Sequence, residues 1–175
     1  MAERKRVRRD DISQSALKKL LKRGAGAKFT KGVDSVRTSE DALEQTQKAT
    51  EAFLRHVGEK AVDLIKYKKA KTVKLETLQE IAKHLACKGI KASDLQHEVR
   101  AGAGQRGLSQ AGVVRVFQQG FGDNRISEDS KEALVGMAEA YVMKIGANAG
   151  IMAVAARRTT LQGADVVAAI KTLEH

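Results

Sequence analysis

RTSED at Arg37 to Asp41 and RISED at Arg125 to Asp129 are two versions of one pentapeptide, 88 residues apart. Continued without a gap, that offset aligns EAF at Glu51 to Phe53 with EAY at Glu139 to Tyr141, and Gly58 with Gly146. It also aligns Ala61 with Ala149, Thr72 with Thr160 and Leu85 with Leu173, giving 12 identities over 49 positions. Upstream the offset becomes 96, matching Ser13-Gln14 with Ser109-Gln110, Gly24 with Gly120 and Gly26 with Gly122. The first half therefore carries eight extra residues, placed within 27–36. Register kept across three segments is the signature of an internal duplication.

Each repeat follows one plan: a short helix, a Gly-containing loop, a long helix, a second loop and a short helix. The spacing predicts helices over Ser13 to Arg23, Ser39 to Lys66 and Leu75 to Cys87 in the first half. In the second half it predicts them over Ser109 to Gln119, Ser127 to Val154 and Gln162 to Leu173. Ser39 and Ser127 are expected N-caps, each followed by carboxylates that suit the helix dipole. Along the first long helix Leu43, Thr46, Thr50, Phe53, Leu54, Val57, Ala61, Leu64 and Ile65 fall on one stripe. Leu134, Met137, Ala138, Tyr141, Val142, Ile145, Ala149 and Met152 do so on the second. A helix of this length is about 42 Å long, too long for two short helices to cover, so each half needs a partner helix crossing it.

Composition agrees. With no proline, 3% aromatic and 42% hydrophobic residues, the 175-residue chain favours helix and has enough apolar content for a core. Its formal charge of +11 and pI near 9.9 point to a polyanionic partner. Few aromatic rings argue against a base-stacking single-strand binder and for duplex phosphates. The longest small-apolar run, Gly146 to Ala156, is shorter than the ~18 residues of a membrane span, and no apolar segment follows the basic N-terminus, so a soluble protein without membrane partner or secretory signal is expected. One cysteine, Cys87, excludes an internal disulfide, and His56, His84, His97 and His175 are scattered, so no metal site and no cofactor are expected. Between the repeats, Gly102, Gly104 and Gly107 match GxGxxG literally. The dinucleotide reading needs a strand before and a helix after within a βαβ unit, and the segment reads instead as a linker over 88–108, in which Ser93 to Arg100 can add a turn or two of helix.

A short, long, short helical plan, with an Arg before the long helix and a basic-Thr-apolar loop after it, resembles the histone fold of archaeal and eukaryotic core histones. The second half is similar to archaeal histones in NRISEDSKEAL and RRTTLQGADVVAAI. The first resembles the fourth eukaryotic core histone in DDISQSALKKLLKRGAGAK and the general pattern in KAKTVKLETL. The resemblance implies an all-α chain of two histone folds in tandem, a histone doublet, closed on itself by an intramolecular handshake in which the long helices cross antiparallel. Its parts would be a basic N-terminal tail (1–12), a first fold (13–87, with the insertion), the linker (88–108) and a second fold (109–175).

The resemblance also implies site residues. The arginine before each long helix enters the DNA minor groove, braced by a threonine from the partner's second loop: Arg37 with Thr160 and Arg125 with Thr72. A guanidinium there reads groove shape rather than base identity; capping or solvating a loop is the plainer role. A loop clamp would join Arg158 to Asp165, where the first half has Ala70 and Thr77. Lys69, Lys71 and Lys74 face phosphate in compensation, or form a solvated charge run. First-helix contacts to phosphate fall to Lys18, Lys19, Lys22 and Arg23, but only to Arg115 in the second half, with Arg157 in the second loop. Arg4, Lys5, Arg6, Arg8 and Arg9 form an arm along DNA, a nuclear-import signal, or both. Charge is uneven: 11 basic against four acidic residues over 1–36, 14 against 10 over 37–108, and seven against seven over 109–175.

These readings lead to a non-enzymatic protein that wraps or bends double-stranded DNA, compacts a genome, and pairs with itself or a second doublet in tetramer- or octamer-like assemblies. It would stay with genomic DNA: in a virion, host nucleus or viral factory for a giant virus, in the nucleoid for an archaeon. A histone-fold transcription factor or assembly subunit is the alternative. Ala155 replaces a histidine that archaeal histones use between dimers, and Tyr67 holds the matching first-half place, which leaves further assembly open. An enzyme has no supporting nucleophile, metal or phosphate-loop constellation.

Overall fold

Apolar residues at helical spacing turn both repeats into helices, and the apolar stripes decide how the helices meet. The computed structural model describes residues 12–26, 28–29, 35–84 and 107–173. Along the chain run α1 (Gln14–Gly26), β1 (Arg37–Thr38), α2 (Glu40–Tyr67), β2 (Thr72–Val73) and α3 (Leu75–His84). There follow α4 (Gln110–Phe121), β3 (Arg125–Ile126), α5 (Glu128–Ala155), β4 (Thr160–Leu161) and α6 (Gly163–Leu173).

The two 28-residue helices α2 and α5 cross at repeat-matched aromatics. The rings of Phe53 and Tyr141 stack with centroids 4.3 Å apart and planes 4° from parallel. The short helices are exchanged: α1 lies on α5 and α4 lies on α2, while α6 packs on both long helices and α3 bridges them. Each half thus covers the other's stripe, and Leu17, Leu21, Leu54, Leu78, Phe117, Phe121, Leu134, Met137 and Ile145 form one fully buried core. Thr46 and Thr50 sit inside this stripe at no polar cost, because each hydroxyl donates to the carbonyl four residues back, at 2.7 Å.

The exchange explains the repeated glycines. A Cβ on Gly146 would stand 2.5 Å from the Leu21 carbonyl of α1, and one on Gly58 would stand 2.4 Å from the Phe117 carbonyl of α4. Gly24 and Gly120 make the reciprocal approach, to the Met143 and Arg55 carbonyls. Backbones this close leave no room for a side chain at either member of each crossing. Gly24 and Gly120 therefore belong to helices rather than to the expected loops, and Gly26 is the last residue of α1. α1 runs three residues beyond Arg23, and α4 runs to Phe121 and is capped by Gly122, whose φ of 79° is in the region open to glycine.

Helix starts differ between repeats. Ser39 caps α2 by accepting the Ala42 N–H at 3.1 Å, and Ser109 does the same for α4 with Gly112. Ser127 has the extended cap backbone but makes no side-chain cap bond. Its hydroxyl is taken by Asp129 and by Ser130, the residue that replaces Ala42 in the repeat, and Asp129 Oδ1 accepts the Ser130 N–H at 3.0 Å instead. Within the expected linker, Gly107 and Leu108 are anchored. Leu108 is buried and its N–H donates to Glu139 Oε1 at 3.1 Å. In the insertion, Val36 is buried and Phe29 packs against the core. The tail arginines and lysine, residues 85–87 of the third expected helix, and Ser93 to Arg100 lie outside the described residues.

Candidate nucleic-acid interface

Each short strand pairs with a strand of the other half. β1 runs parallel to β4 with Arg37 opposite Thr160, and β2 runs parallel to β3 with Thr72 opposite Arg125. The pairing is held by backbone bonds: Arg37 N–H to Thr159 O at 2.9 Å, Ser39 N–H to Leu161 O at 3.0 Å, and Ser127 N–H to Val73 O at 3.1 Å. At both sites the arginine is exposed and the threonine half-buried, so a guanidinium projects from a fixed backbone beside a short hydroxyl.

The loops that deliver the threonines begin in a strained way. α2 ends with Ala70 N–H on Ile65 O and Lys69 N–H on Lys66 O. α5 ends with Arg158 N–H on Ala153 O and Arg157 N–H on Val154 O. This pair of bonds normally carries glycine at its left-handed residue. Here that residue is Lys69 (φ 52°) or Arg157 (φ 56°), both exposed. A long cation in the glycine position costs about 1 kcal/mol or more, and it recurs at the same place in both repeats.

Beyond this point the loops diverge. Arg158 grips Asp165 with two parallel bonds, Nη1 to Oδ2 at 2.8 Å and Nη2 to Oδ1 at 2.9 Å, and Nη1 also donates to the Thr160 carbonyl at 3.1 Å. Asp165 further accepts the Gln162 N–H at 2.9 Å. The Arg158 hydrogen bond holds the Asp165 carboxyl below its ordinary range, with the Gln162 bond adding to it against the opposing effect of burial. In the first half Ala70 is exposed and Thr77 buried. There an ion pair between Lys68 and Glu80 links the end of α2 to α3, and Lys71 and Lys74 are exposed. On the short helices Lys18, Lys19, Arg23 and Arg115 are exposed and Lys22 half-buried.

Three contributors escape a reading of motifs. Ser130 is buried and its hydroxyl lies 3.2 Å from the Val73 carbonyl, tying β2 to the start of α5; a polar residue where the repeat has Ala42 was the available signal. The Asp41 carboxylate lies against Gly163 at the N-terminus of α6, where negative charge suits the helix dipole. The hydroxyl of Thr38, matched by Ile126 in the repeat, is buried with no hydrogen-bond partner. Among the described residues no group of three His, Cys, Asp or Glu side chains is placed to hold a metal ion, and no helix is long and apolar enough to cross a membrane.

Two segments, residues 29–81 and 106–170, match the model of the family described as histone-like transcription factor (CBF/NF-Y) and archaeal histone. The chain belongs to this family. Its two matched segments are two histone folds in one chain, a doublet, and the strand pairs and crossed long helices are their handshake. The histone from Methanopyrus kandleri, a solved structure, superposes with a TM-score of 0.70 at 22% identity, covering 93% of this chain and 95% of that one, a likeness of fold. No curated protein matches the chain in sequence. Membership makes this doublet a DNA-binding, histone-type protein.

Proposed function

We propose that the doublet binds, bends and wraps double-stranded DNA to compact a genome, without catalysis. The observation that supports this most directly is the repeat-related pair of loop sites, Arg37 beside Thr160 and Arg125 beside Thr72. Two exposed arginines on fixed backbones, related by the pseudo-twofold at the Phe53 and Tyr141 stack, suit successive inward-facing minor grooves of a bent duplex. Lys69, Lys71, Lys74 and Arg157 flank them to neutralise phosphates. Lys18, Lys19, Lys22 and Arg23 on α1, with Arg115 on α4, grip the backbone between the two sites. The clamp of Arg158 and Asp165 keeps one loop in shape, and the basic tail follows the duplex beyond the folded part. Further doublets join on the DNA to build a larger particle.

A sequence-selective regulator is the second reading, favoured by the family's inclusion of transcription factors. Competition between DNA of selected and of random sequence separates the two. Backbone-dominated binding predicts a preference below roughly a hundredfold, well short of the typical specific-binding range, and an affinity that falls linearly in log–log form with salt, each phosphate contact adding about 0.9 to the slope. A larger preference, or a flat salt dependence, contradicts the compaction reading.

A further inference from the structure

The strand pairs at the two ends of the molecule are alike, but their second loops are held in different ways. At the β1/β4 end the loop is fixed from within its own half: Arg158 bonds both oxygens of Asp165 and the Thr160 carbonyl, and Asp165 accepts the Gln162 N–H. At the β2/β3 end Ala70 and Thr77 stand at the clamp positions. There the added tie comes from the other half. The Val73 carbonyl accepts the Ser127 N–H at 3.1 Å and the Ser130 hydroxyl at 3.2 Å. The matching Leu161 carbonyl accepts the Ser39 N–H at 3.0 Å, and Ala42 occupies the place of Ser130 in that repeat. The remaining link, the ion pair of Lys68 with Glu80, is exposed on both sides and is weakened by salt.

Resting on the DNA-binding reading above, we propose that the two ends hold a duplex unequally: DNA leaves the β2/β3 end first and stays on the clamped β1/β4 end, and Ser130 is the residue that positions the yielding loop. Ordering a loop and its side chains on binding costs free energy, and the Arg158 clamp orders its loop before DNA arrives. The loop from Lys68 to Lys74 brings four lysines and that from Ala156 to Gln162 two arginines. A lysine is a point charge on a flexible stem, without the fixed fork of a guanidinium, so the lysine loop has more freedom to lose. The helices behind the ends widen the difference. α1, with Lys18, Lys19, Lys22 and Arg23, packs on α5 and touches β1, which puts its charge behind the β1/β4 end. α4, which leads into β3, carries Arg115 alone and is followed by the exposed Asp123, an acid that repels phosphate two residues from Arg125. Two identical folds across a twofold axis would release either end alike; this chain opens its DNA from one side.

Photo-crosslinking to a short duplex tests this on the full chain, with benzoylphenylalanine in place of Ala70 or of Ala156, exposed and uncharged members of the two loops. Crosslinking at each place is followed as salt is raised. With three lysine contacts contributing about 0.9 each to the salt slope, a threefold weaker hold moves the midpoint by roughly 1.5-fold in salt. The expected result is a midpoint at position 70 lower by at least that factor than at position 156. Ser130→Ala, which installs the residue of the matched place, should lower the position 70 midpoint further and leave position 156 and the helical signal unchanged. Equal midpoints, loss at position 156 first, or a Ser130→Ala chain in which both midpoints move alike or neither moves would each overturn the inference while leaving DNA binding itself intact. A duplex that crosslinks at neither loop and is not retained at any salt would overturn the DNA-binding reading, and the unequal ends with it.

Discussion

Arg37 and Arg125 matter for what they reach, whereas several of their neighbours matter for what they cost. Lys69 and Arg157 sit at left-handed φ, so Lys69→Gly and Arg157→Gly should leave the melting temperature unchanged or raise it while lowering the salt slope of DNA binding by about 0.9 each. An unchanged slope would show that these cations do not meet phosphate. Thr38 buries an unpartnered hydroxyl where the repeat has Ile126, and Thr38→Val should raise stability, removing part of a penalty of about 1–3 kcal/mol. Two carboxylates give the protein opposing responses to pH. Asp165 has its pKa lowered by Arg158. Its stabilisation is present above the ordinary carboxylate range and is lost as pH falls through the lowered value. Glu139, 1% exposed, has its pKa raised by burial, against the lowering effects of the Leu108 N–H and Arg23. Its contribution is complete below the ordinary value of 4.5 and fades as pH rises through the raised one. Melting curves over a pH series should therefore show Asp165→Asn removing the loss on the acid side, and Glu139→Gln, which keeps an acceptor for Leu108, flattening the decline toward neutral pH.

At the scale of elements, the long helices were legible because length, stripe and cap all agree, and the short helices were legible in position but not in extent. Reading Gly24, Gly26 and Gly120 as loop residues follows from their weak helix propensity. The helices keep Gly24 and Gly120 because a backbone crossing on Met143 and Arg55 admits nothing larger, a tertiary demand that local sequence does not display. The same crossing gives a sharp test. Gly58→Ala and Gly146→Ala improve helix propensity, yet each should destabilise the fold by about 1–3 kcal/mol through overpacking, read as a lower midpoint in denaturant. Ser127 shows the converse limit. Its place in the motif identified the helix start correctly, but its bonding depended on Ser130, one residue whose partner Val73 lies in the other half. Glu139 was visible only as one letter of EAY, and its burial depends on where the chain returns at Gly107 and Leu108.

At the scale of the molecule, the 88-residue repeat carried most of the architecture, since a half with an uncovered stripe implies a second half crossing it. It could not show that the halves swap their first helices. That depends on which helix faces which, and periodicity is silent on that. The site was legible through the motifs at its centre, Arg37, Arg125, Thr72 and Thr160, which the strand pairs bring opposite one another; what they do on DNA is the central claim. Micrococcal nuclease digestion of DNA reconstituted with wild-type protein and with the Arg37→Ala, Arg125→Ala double variant tests it most directly. The account predicts discrete protected lengths with the wild type, and their loss in the double variant while its helical signal and melting temperature are retained. Protection unchanged in the double variant, or absent with the wild type, would contradict it.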